Sequence, residues 1–211
     1  MTRHTKKTKS TVKQRAKEQS INAILSAAAH VLSQHGYAGT TISRVAEAAG
    51  VSRGLLHYHF KNKEEMLAKV LQVNMEKNVE MADTVLSHCA SAEDFTDNLI
   101  SAIQSLVMSN PGYLNLFLEG LVTARYSNVV RHALGDLYES FRESLKRSFH
   151  EMERAGIISP AIPPDGLAAL IAGMLDGIGI QFVTVPGLAQ DEENWNYLRK
   201  GLLVLLTTDR S

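Results

Sequence analysis

The stretch from Thr40 to Phe60 constrains the fold of this chain more than any other part of the sequence. Thr40 or Thr41 can cap a first short helix, because a side-chain hydroxyl accepts a hydrogen bond from the free N–H groups of a first turn. Gly50 can end that helix in the left-handed conformation, and Ser52 can cap the next helix. Two short helices joined by a tight turn are a helix-turn-helix, which lays its second helix in the major groove of DNA.

The composition of the second short helix favours contact with DNA over a plain protein surface. Gly54 costs a helix about 1 kcal/mol relative to alanine, but it lets the backbone approach a phosphate or a base edge. Arg53 can donate two hydrogen bonds to a guanine. A capped helical hairpin with a polar surface explains any one of these residues, but it does not explain the whole set. The predicted DNA-binding residues are Thr40, Thr41, Arg44, Ser52, Arg53, Gly54, Leu55, His57, Tyr58, His59, Lys61 and Lys63.

Residues 50–67, which read Gly-Val-Ser-Arg-Gly-Leu-Leu-His-Tyr-His-Phe-Lys-Asn-Lys-Glu-Glu-Met-Leu, resemble the signature of the TetR (tetracycline-repressor) family of transcription regulators. The specific resemblance covers roughly residues 20–70, and the rest of the chain is similar only in the number and length of its helices. Leu55 stands where a threonine is common, and His57 stands where a tyrosine is usual. The resemblance implies a helix-turn-helix head, a fourth helix whose start touches the DNA backbone, and a body that binds a small molecule and then releases DNA.

A second, fainter resemblance concerns the body of the protein. Residues 155–158 (Ala-Gly-Ile-Ile) together with residues 175–177 (Leu-Asp-Gly) are similar to the branch of the family typified by the betaine-synthesis repressor. No ligand is carried over from that branch.

Charge is divided unequally along the chain. The formal net charge is zero, but residues 1–63 hold eleven Lys or Arg and two acidic residues, whereas residues 64–211 hold eleven Lys or Arg and twenty acidic residues. A basic head on an acidic body is expected when a DNA-binding domain is joined to a domain that does not bind DNA. Residues 1–17 have no apolar run, so we predict a mostly disordered basic arm that follows the phosphates or enters a minor groove. A solubilising tail is an equally good interpretation of that segment.

Apolar periodicity predicts an all-α chain of about nine helices, with no strand of any length. The first helix runs from about Lys13 to Gly36, and a long helix from Lys63 to about Ser87 links the head to the body. Residues 114–122 are apolar on nearly all sides, which predicts a buried helix. The predicted domains are a basic flexible arm (1–17), a helix-turn-helix domain (18–63) and a helical body for ligand binding and dimerisation (64–207). The other predicted helices span residues 91–108, 128–155, 167–185 and 191–207.

The last two helices are unusually apolar. Residues 167–185 are long enough to span a membrane, but Asp176 at the centre and several glycines argue against that interpretation. Ala169, Gly173 and Gly177 follow at intervals of four, so another helix can approach closely. By the family resemblance, these helices pair with those of a second subunit in a four-helix bundle, while two ordinary core helices are the alternative. The predicted interface residues of this homodimer are Ala169, Gly173, Gly177, Trp195, Leu198, Leu202 and Leu205.

A homodimer has a consequence for DNA recognition. Helix-turn-helix dimers read two half-sites about 10–10.5 bp apart, or a multiple of that distance. The predicted partner is therefore double-stranded DNA that carries a pseudo-palindromic operator.

The small-molecule pocket that the resemblance implies has only candidate lining residues. For each of them core packing is the simpler interpretation, because Met and aromatic residues at helical spacing are normally core. A charge in an apolar context needs a partner, so Arg125 and Asp176 are expected to pair with each other, with a ligand, or with the second subunit. The candidates are Met108, Tyr113, Phe117, Leu121, Arg125, Tyr126, Phe141, Met174 and Asp176.

Sequence patterns typical of an enzyme are weak in this chain. Cys89 has no evident histidine partner, the histidines do not show metal-ligand spacing, and no glycine-rich loop follows a strand. We predict no catalytic residue, no cofactor and no metal site. The lack of a signal peptide and of a disulfide pattern makes the cytoplasm the expected location. The expected function is sequence-specific DNA binding by a transcriptional regulator, most simply a repressor released by a small molecule, and the alternative is a ligand-independent architectural DNA-binding protein.

Overall fold

The computed structural model describes residues 4–86, 89–109, 111–185 and 187–207, and within these ranges every regular element is a helix. The predicted all-α fold is therefore confirmed. A short 3-10 turn at Leu188–Gln190 precedes the last helix. The helices are α1 (His4–Gly39), α2 (Ile42–Ala48), α3 (Arg53–His59), α4 (Lys63–Leu86), α5 (Ala92–Ser109), α6 (Pro111–Ala124), α7 (Asn128–Arg154), α8 (Pro164–Thr184) and α9 (Glu192–Leu206).

Helix α1 is longer than the sequence predicts. It begins at His4 instead of near Lys13, so the backbone of the predicted disordered arm is helical from that residue on. Lys, Arg, Gln and Ala in this segment have good helix propensities, and no Gly or Pro interrupts the segment before Gly36. The predicted stop at Gly36 is confirmed, because its φ of 63° is left-handed and the chain changes direction there.

Buried side chains form two clusters that share α7. The first cluster contains residues of all four helices from α1 through α4, together with parts of α6 and α7. It includes Leu32, Leu56 and Met66. The second joins α5, α7, α8 and α9 around Phe95 and Phe149, whose ring centroids lie 5.3 Å apart. The head is thus continuous with the body, because the head helices pack in one cluster with α6 and α7 of the body.

The far end of α4 is fixed to α7 by a polar contact. The Asp83 carboxylate accepts hydrogen bonds from the Ser144 hydroxyl and from Arg147 Nη2, the latter at 3.0 Å. Since α3 is joined to the start of the same helix, α4 connects the DNA-facing end of the molecule to the middle of the body. This agrees with the predicted link between head and body.

Helix α6 is only partly buried, so the predicted burial on all sides is wrong. Leu116 and Phe117 are buried, but Val122 is 60% exposed. The helix passes very close to α4, since a Cβ added at Gly120 would lie 2.7 Å from Leu71 Cδ1. Val122 lies on the outer side of the last turn, whereas Thr123 of the same turn is buried.

The last two helices turn part of their apolar surface outward. Among the described helices α8 is the one long and apolar enough to cross a membrane, by length and composition only. Its inner side, with Leu167 and Ile171, belongs to the body core, while Leu170 and Ile180 remain 45% and 43% exposed. Ala169 and Gly173 are exposed next to them, and Gly177 is half-buried.

Three predicted interface residues on α9 face the wrong way for a dimer contact. Trp195, Leu198 and Leu202 are buried in their own subunit, which corrects the prediction for these residues. The Trp195 ring packs on Phe182 at 4.9 Å, and its Nε1 donates a hydrogen bond to the Ala189 carbonyl. Leu205 is half-buried. The exposed apolar side chains of α9 are Tyr197 and Val204.

Candidate DNA-binding surface and effector cavity

The helix-turn-helix forms as the local sequence signals predict. The Thr41 hydroxyl accepts a hydrogen bond from the Arg44 N–H, and the Ser52 hydroxyl accepts one from the Leu55 N–H, both at 3.2 Å. Gly50 closes α2 with a φ of 65°, a conformation that glycine adopts without steric cost. Leu56, fully buried, fixes the inner side of α3, so that the opposite side faces solvent.

Most of the predicted DNA-binding residues lie on one exposed surface. Its side chains belong to the start of α2, to α3 and to the residues just before and after α3. Tyr58 of α3 is 71% exposed. The exposed members are Thr41, Arg44, Ser52, Arg53, Gly54, His57, Tyr58 and Lys61, and the half-buried ones are Leu55, His59 and Lys63.

Three predicted DNA-binding residues, Thr40, Arg44 and Lys63, have structural partners. The Arg44 guanidinium donates to the Gly39 carbonyl from an exposed position. Thr40 is 1% exposed and its hydroxyl donates to the Gly36 carbonyl, so it supports the turn after α1 and does not reach the surface. Lys63 Nζ donates to the Tyr37 carbonyl at 2.8 Å and lies 4.0 Å from the centroid of the Tyr37 ring. Thr40 therefore drops out of the DNA-binding set, while Lys63 contributes charge from a fixed position.

Tyr37 joins α1 to α4 through a second contact. Its hydroxyl donates to Glu64 Oε1 at 2.8 Å, and this hydrogen bond lowers the pKa of Glu64 below its ordinary value of 4.5. Desolvation and the Glu64 carboxylate raise the pKa of Tyr37, so the phenol stays protonated. The turn after α1 and the start of α4 are thereby held as one unit with the helix-turn-helix.

The body contains a cavity of about 160 Å³ between α4, α5, α6, α7 and α8. Most of its lining is aliphatic or aromatic, and only three of the described lining side chains have polar atoms: Tyr113, Tyr138 and Asp176. A concave, mostly apolar cavity with few polar groups is typical of a small-molecule site. The remaining lining residues are Met75, Val79, Leu99, Ala102, Ile103, Leu106, Val107, Leu114, Phe117, Leu118, Leu137, Phe141, Leu175, Ile178, Gly179, Ile180 and Phe182.

Asp176 is paired with a tyrosine and not with Arg125. The Tyr138 hydroxyl donates to Asp176 Oδ2 at 2.6 Å. Burial raises the pKa of Asp176 above its ordinary value of 3.8, and the Tyr138 hydrogen bond acts in the opposite direction. Burial and the Asp176 carboxylate both raise the pKa of Tyr138. Arg125 is exposed instead, with its guanidinium 5.6 Å from the centroid of the Tyr126 ring.

Four of the nine predicted pocket residues line this cavity: Tyr113, Phe117, Phe141 and Asp176. Met108 and Tyr126 are 58% and 80% exposed, and the cavity lining does not include them. The other three predicted residues also lie outside that lining, since the cavity is built on other faces of α6 and α8. They are Leu121, Arg125 and Met174.

Sequence reasoning missed Tyr138 and the α4 and α5 residues of the cavity. Tyr138 lies three residues before Phe141, so its position on the apolar stripe of α7 could have marked it. Met75 and Val79 are four apart on α4, and Leu99, Ile103 and Val107 are four apart on α5. These spacings indicate one buried face, but they do not distinguish a cavity wall from a packed core.

The cavity and the head are in contact through α6. Phe117 lines the cavity, and the neighbouring residues Glu119 and Gly120 face α1 and α4. A Cβ added at Gly36 would lie 2.6 Å from Glu119 Oε1, so the end of α1 rests directly on α6. A displacement of α6 at the cavity would therefore shift α1 and α4, the two helices that α6 contacts and that support α3.

Comparison with known proteins agrees with this architecture. Residues 24–70 match the family model for bacterial regulatory proteins of the TetR family. The HTH-type transcriptional repressor AcnR of Corynebacterium jeikeium is 27% identical over 161 residues, which cover 74% of this chain and 77% of AcnR. The fatty acid metabolism regulator protein of Bacillus subtilis is 26% identical over 154 residues, covering 72% and 78% of the two chains.

A solved structure is similar over the whole described fold. The transcriptional regulator FadR from Bacillus subtilis in complex with stearoyl-CoA superposes with a TM-score of 0.71, covering 90% of this chain and 100% of FadR, at 21% identity. At this level of identity the likeness shows the fold, including the helix-turn-helix head and the helical body.

Proposed function

We propose that this chain, a DNA-binding transcriptional regulator whose residues 24–70 match the TetR family model, acts as a repressor. It occupies an operator as a homodimer until a small molecule enters the body cavity. The single observation that supports release by a ligand is the apolar cavity itself, which holds a half-buried carboxylate and lies against α4 and α6. FadR of Bacillus subtilis, a protein of the same fold, binds stearoyl-CoA, which is a precedent for ligand control.

The DNA contact is made by the exposed surface of α3. Arg53 reaches base edges, while Thr41, Ser52 and Lys61 contact phosphates beside it. Hydroxyl and basic side chains suit phosphate, and the first turn of a helix presents free N–H groups to it. Because most contacts are to phosphate, affinity falls steeply as salt is raised.

The dimer forms through the outward faces of α8 and α9. Leu170, Ile180, Tyr197 and Val204 are large apolar side chains that are 43–65% exposed in the single chain. No atom lies within 4 Å of a Cβ added at Gly173, Gly177 or Gly201, so another helix can approach their backbone. Exposed apolar helices rimmed by polar residues mark protein–protein interfaces. This arrangement also explains the long apolar helix α8 without a membrane and agrees with a cytoplasmic protein.

Release follows from the position of the cavity. A ligand that fills it presses on Phe117 of α6 and on Met75 and Val79 of α4. Both helices hold the head, so their displacement changes the separation of the two α3 helices in the dimer. A dimer whose recognition helices no longer match the half-site spacing loses most of its base contacts.

A gel-shift assay tests the proposal, with DNA from the region upstream of the protein's own coding sequence as the probe. We expect retardation at low salt by the wild-type protein and its loss when a compound that raises the melting temperature is added. The variant Arg53→Ala is the control, since it should bind the compound normally and fail to retard the DNA. The proposal is wrong if no DNA is retarded at low salt, or if compounds that stabilise the protein never release the DNA.

A further inference from the structure

We propose that the body cavity is a receptor for amphiphilic cations, in which the Asp176 carboxylate holds a quaternary or protonated amine and the aliphatic wall holds its apolar tail. This inference rests on the proposed effector site and specifies the chemical class of its ligand. It follows from the charge, the hydrogen bonding and the aromatic content of the cavity.

The polar groups of the cavity are complementary to a positive charge. Asp176 is the one ionisable group with a formal charge among the described lining residues, and none of those residues is Lys, Arg or His. A carboxylate in an apolar site is costly unless it meets a partner of opposite charge. An anionic headgroup would lie beside Asp176 without a cationic partner, so a fatty acid or another carboxylate fits this cavity poorly.

Asp176 keeps capacity for a ligand. Its Oδ2 accepts the Tyr138 hydroxyl, and within the described part of the chain no other hydrogen bond or ion pair involves its carboxylate. A carboxylate has about four acceptor positions, so one hydrogen bond leaves Oδ1 available. Tyr138 fixes the orientation of the carboxylate, because its hydroxyl is only 2.6 Å away.

Aromatic rings line the same cavity. Phe117 and Tyr138 pack edge to face with ring centroids 6.1 Å apart, and Tyr113 and Phe141 belong to the same lining. The face of an aromatic ring attracts a cation, and this attraction is the usual way in which proteins bind quaternary ammonium groups. A carboxylate within such a ring set selects a cation over a neutral molecule of equal shape.

The rest of the cavity suits an apolar tail. Leu99, Ile103 and Val107 of α5 form one wall, and Met75 and Val79 of α4 form another. These walls offer no hydrogen-bonding side chain, so a polar tail would lose its hydration there without compensation. The ligand is therefore a cation joined to a hydrocarbon chain or ring, and not a small hydrophilic cation.

The test uses three probes that share one hydrocarbon chain: octyltrimethylammonium, octanol and octanoate. Calorimetric titration of the full chain should rank their affinities in that order, with the cation at least about tenfold tighter than the alcohol. In Asp176→Asn the affinity for the cation should fall about tenfold or more, while that for octanol stays unchanged and shows that the cavity is intact. Asp136→Asn is the matched control, because it makes the same change at an exposed position of α7 outside the cavity lining and should bind the cation as tightly as wild type does.

The inference is overturned if octanol or octanoate binds as tightly as the cation, if none of the three binds, or if Asp176→Asn binds the cation as well as wild type does. The wild-type ranking needs no variant, so it decides the matter even if a substitution prevents folding. DNA release is measured separately. If the cation binds through Asp176 without releasing DNA, the proposed repressor mechanism fails and the ligand class stands. If another compound releases DNA while the ranking fails, the ligand class is wrong and the repressor mechanism stands.

Discussion

Gly54 and Asp176 are residues whose chemistry is better suited to a ligand than to the stability of the chain. Gly54 lies in the first turn of α3, where a Cβ would meet only Ser52 Oγ at 3.9 Å. Asp176 holds a charge in an apolar cavity, where burial raises its pKa. At each of these residues we therefore expect a substitution that raises the stability of the free protein and weakens the binding of its ligand.

Gly54→Ala should make the protein slightly more stable and weaken its binding to DNA. Alanine is favoured over glycine in a helix by about 0.5–1 kcal/mol, and the space for its methyl group is open in the free protein. In the complex the same methyl group would occupy the gap through which the backbone approaches DNA, so we expect a loss of about tenfold or more in affinity. Urea denaturation and fluorescence anisotropy with labelled duplex measure the two effects. Equal or tighter DNA binding would show that the glycine has no role in the contact.

Asp176→Asn should stabilise the unliganded protein at neutral pH. The folded-state pKa of Asp176 is raised, so ionisation opposes folding above that pKa and has no effect below the ordinary value of 3.8. The variant should be more stable than wild type at pH 7, and the difference should vanish on acidification to below pH 3.8. Urea denaturation over a pH series gives this curve. A destabilised variant at pH 7 would mean that the Tyr138 hydrogen bond outweighs the burial of the charge.

At the scale of elements, the contact between the end of α1 and the start of α4 decides whether the head moves as one unit. Tyr37 supplies its ring to Lys63 and its hydroxyl to Glu64, and both partners lie in the first turn of α4. The helix-turn-helix lies between these two points in sequence. Loosening the contact should therefore affect both stability and the coupling of head to body.

Tyr37→Phe should cost about 1 kcal/mol of stability at pH 7, the usual net value of a hydrogen bond, while it keeps the ring under Lys63. The hydrogen bond lowers the pKa of Glu64, so its contribution is present above the ordinary pKa of 4.5 and is lost as pH falls through the lower folded-state value. Wild type and variant should converge at acid pH in urea denaturation. A gap of constant size across the pH range would assign the effect to packing instead.

Local signals made the head predictable from sequence, and long-range geometry made the cavity unpredictable. The caps at Thr41 and Ser52 and the turn at Gly50 need only neighbours within three or four residues. The Tyr138–Asp176 pair joins residues 38 apart, and it depends on how α7 crosses α8. The apolar periodicity of a single helix does not indicate how that helix crosses its neighbour.

Two wrong predictions have equally physical causes. The charge of the segment before Lys13 and its lack of apolar residues favour disorder, but its residues also favour helix, and the chain is helical from His4. On α9 nearly every position of the apolar face is hydrophobic, so composition did not reveal that Trp195 and Leu202 turn inward and Val204 outward. The inward side of α9 depends on its tertiary neighbours, and here Phe182 of α8 packs on Trp195.

At the scale of the whole molecule, the protein combines a basic DNA-binding head with an exposed apolar face on α8 and α9. These two features are expected of a two-fold symmetric dimer that binds DNA. One α3 of seven residues contacts too few bases for specific recognition in a genome, so the second subunit is part of the site. Dimerisation and DNA binding are therefore linked, and a variant that prevents the first should weaken the second.

Gly173→Arg should convert the protein to a monomer and reduce its affinity for DNA. Gly173 is exposed on the outward side of α8, where a long charged side chain would hold two helices apart. Gly135→Arg is a matched control, because Gly135 is an exposed helical glycine of α7 with nothing within 4 Å of an added Cβ. Sedimentation velocity should show a monomer only for the first variant. Dimers in both variants would place the interface elsewhere.

Selection from a pool of random-sequence duplexes tests the central claim most directly. If paired α3 helices read DNA, the recovered sequences should contain an inverted repeat whose half-site centres lie about 10–10.5 bp apart or a multiple of that distance, and Arg53→Ala should enrich no sequence. Recovery of a single unrepeated site, or no enrichment by the wild-type protein at low salt, would contradict the account.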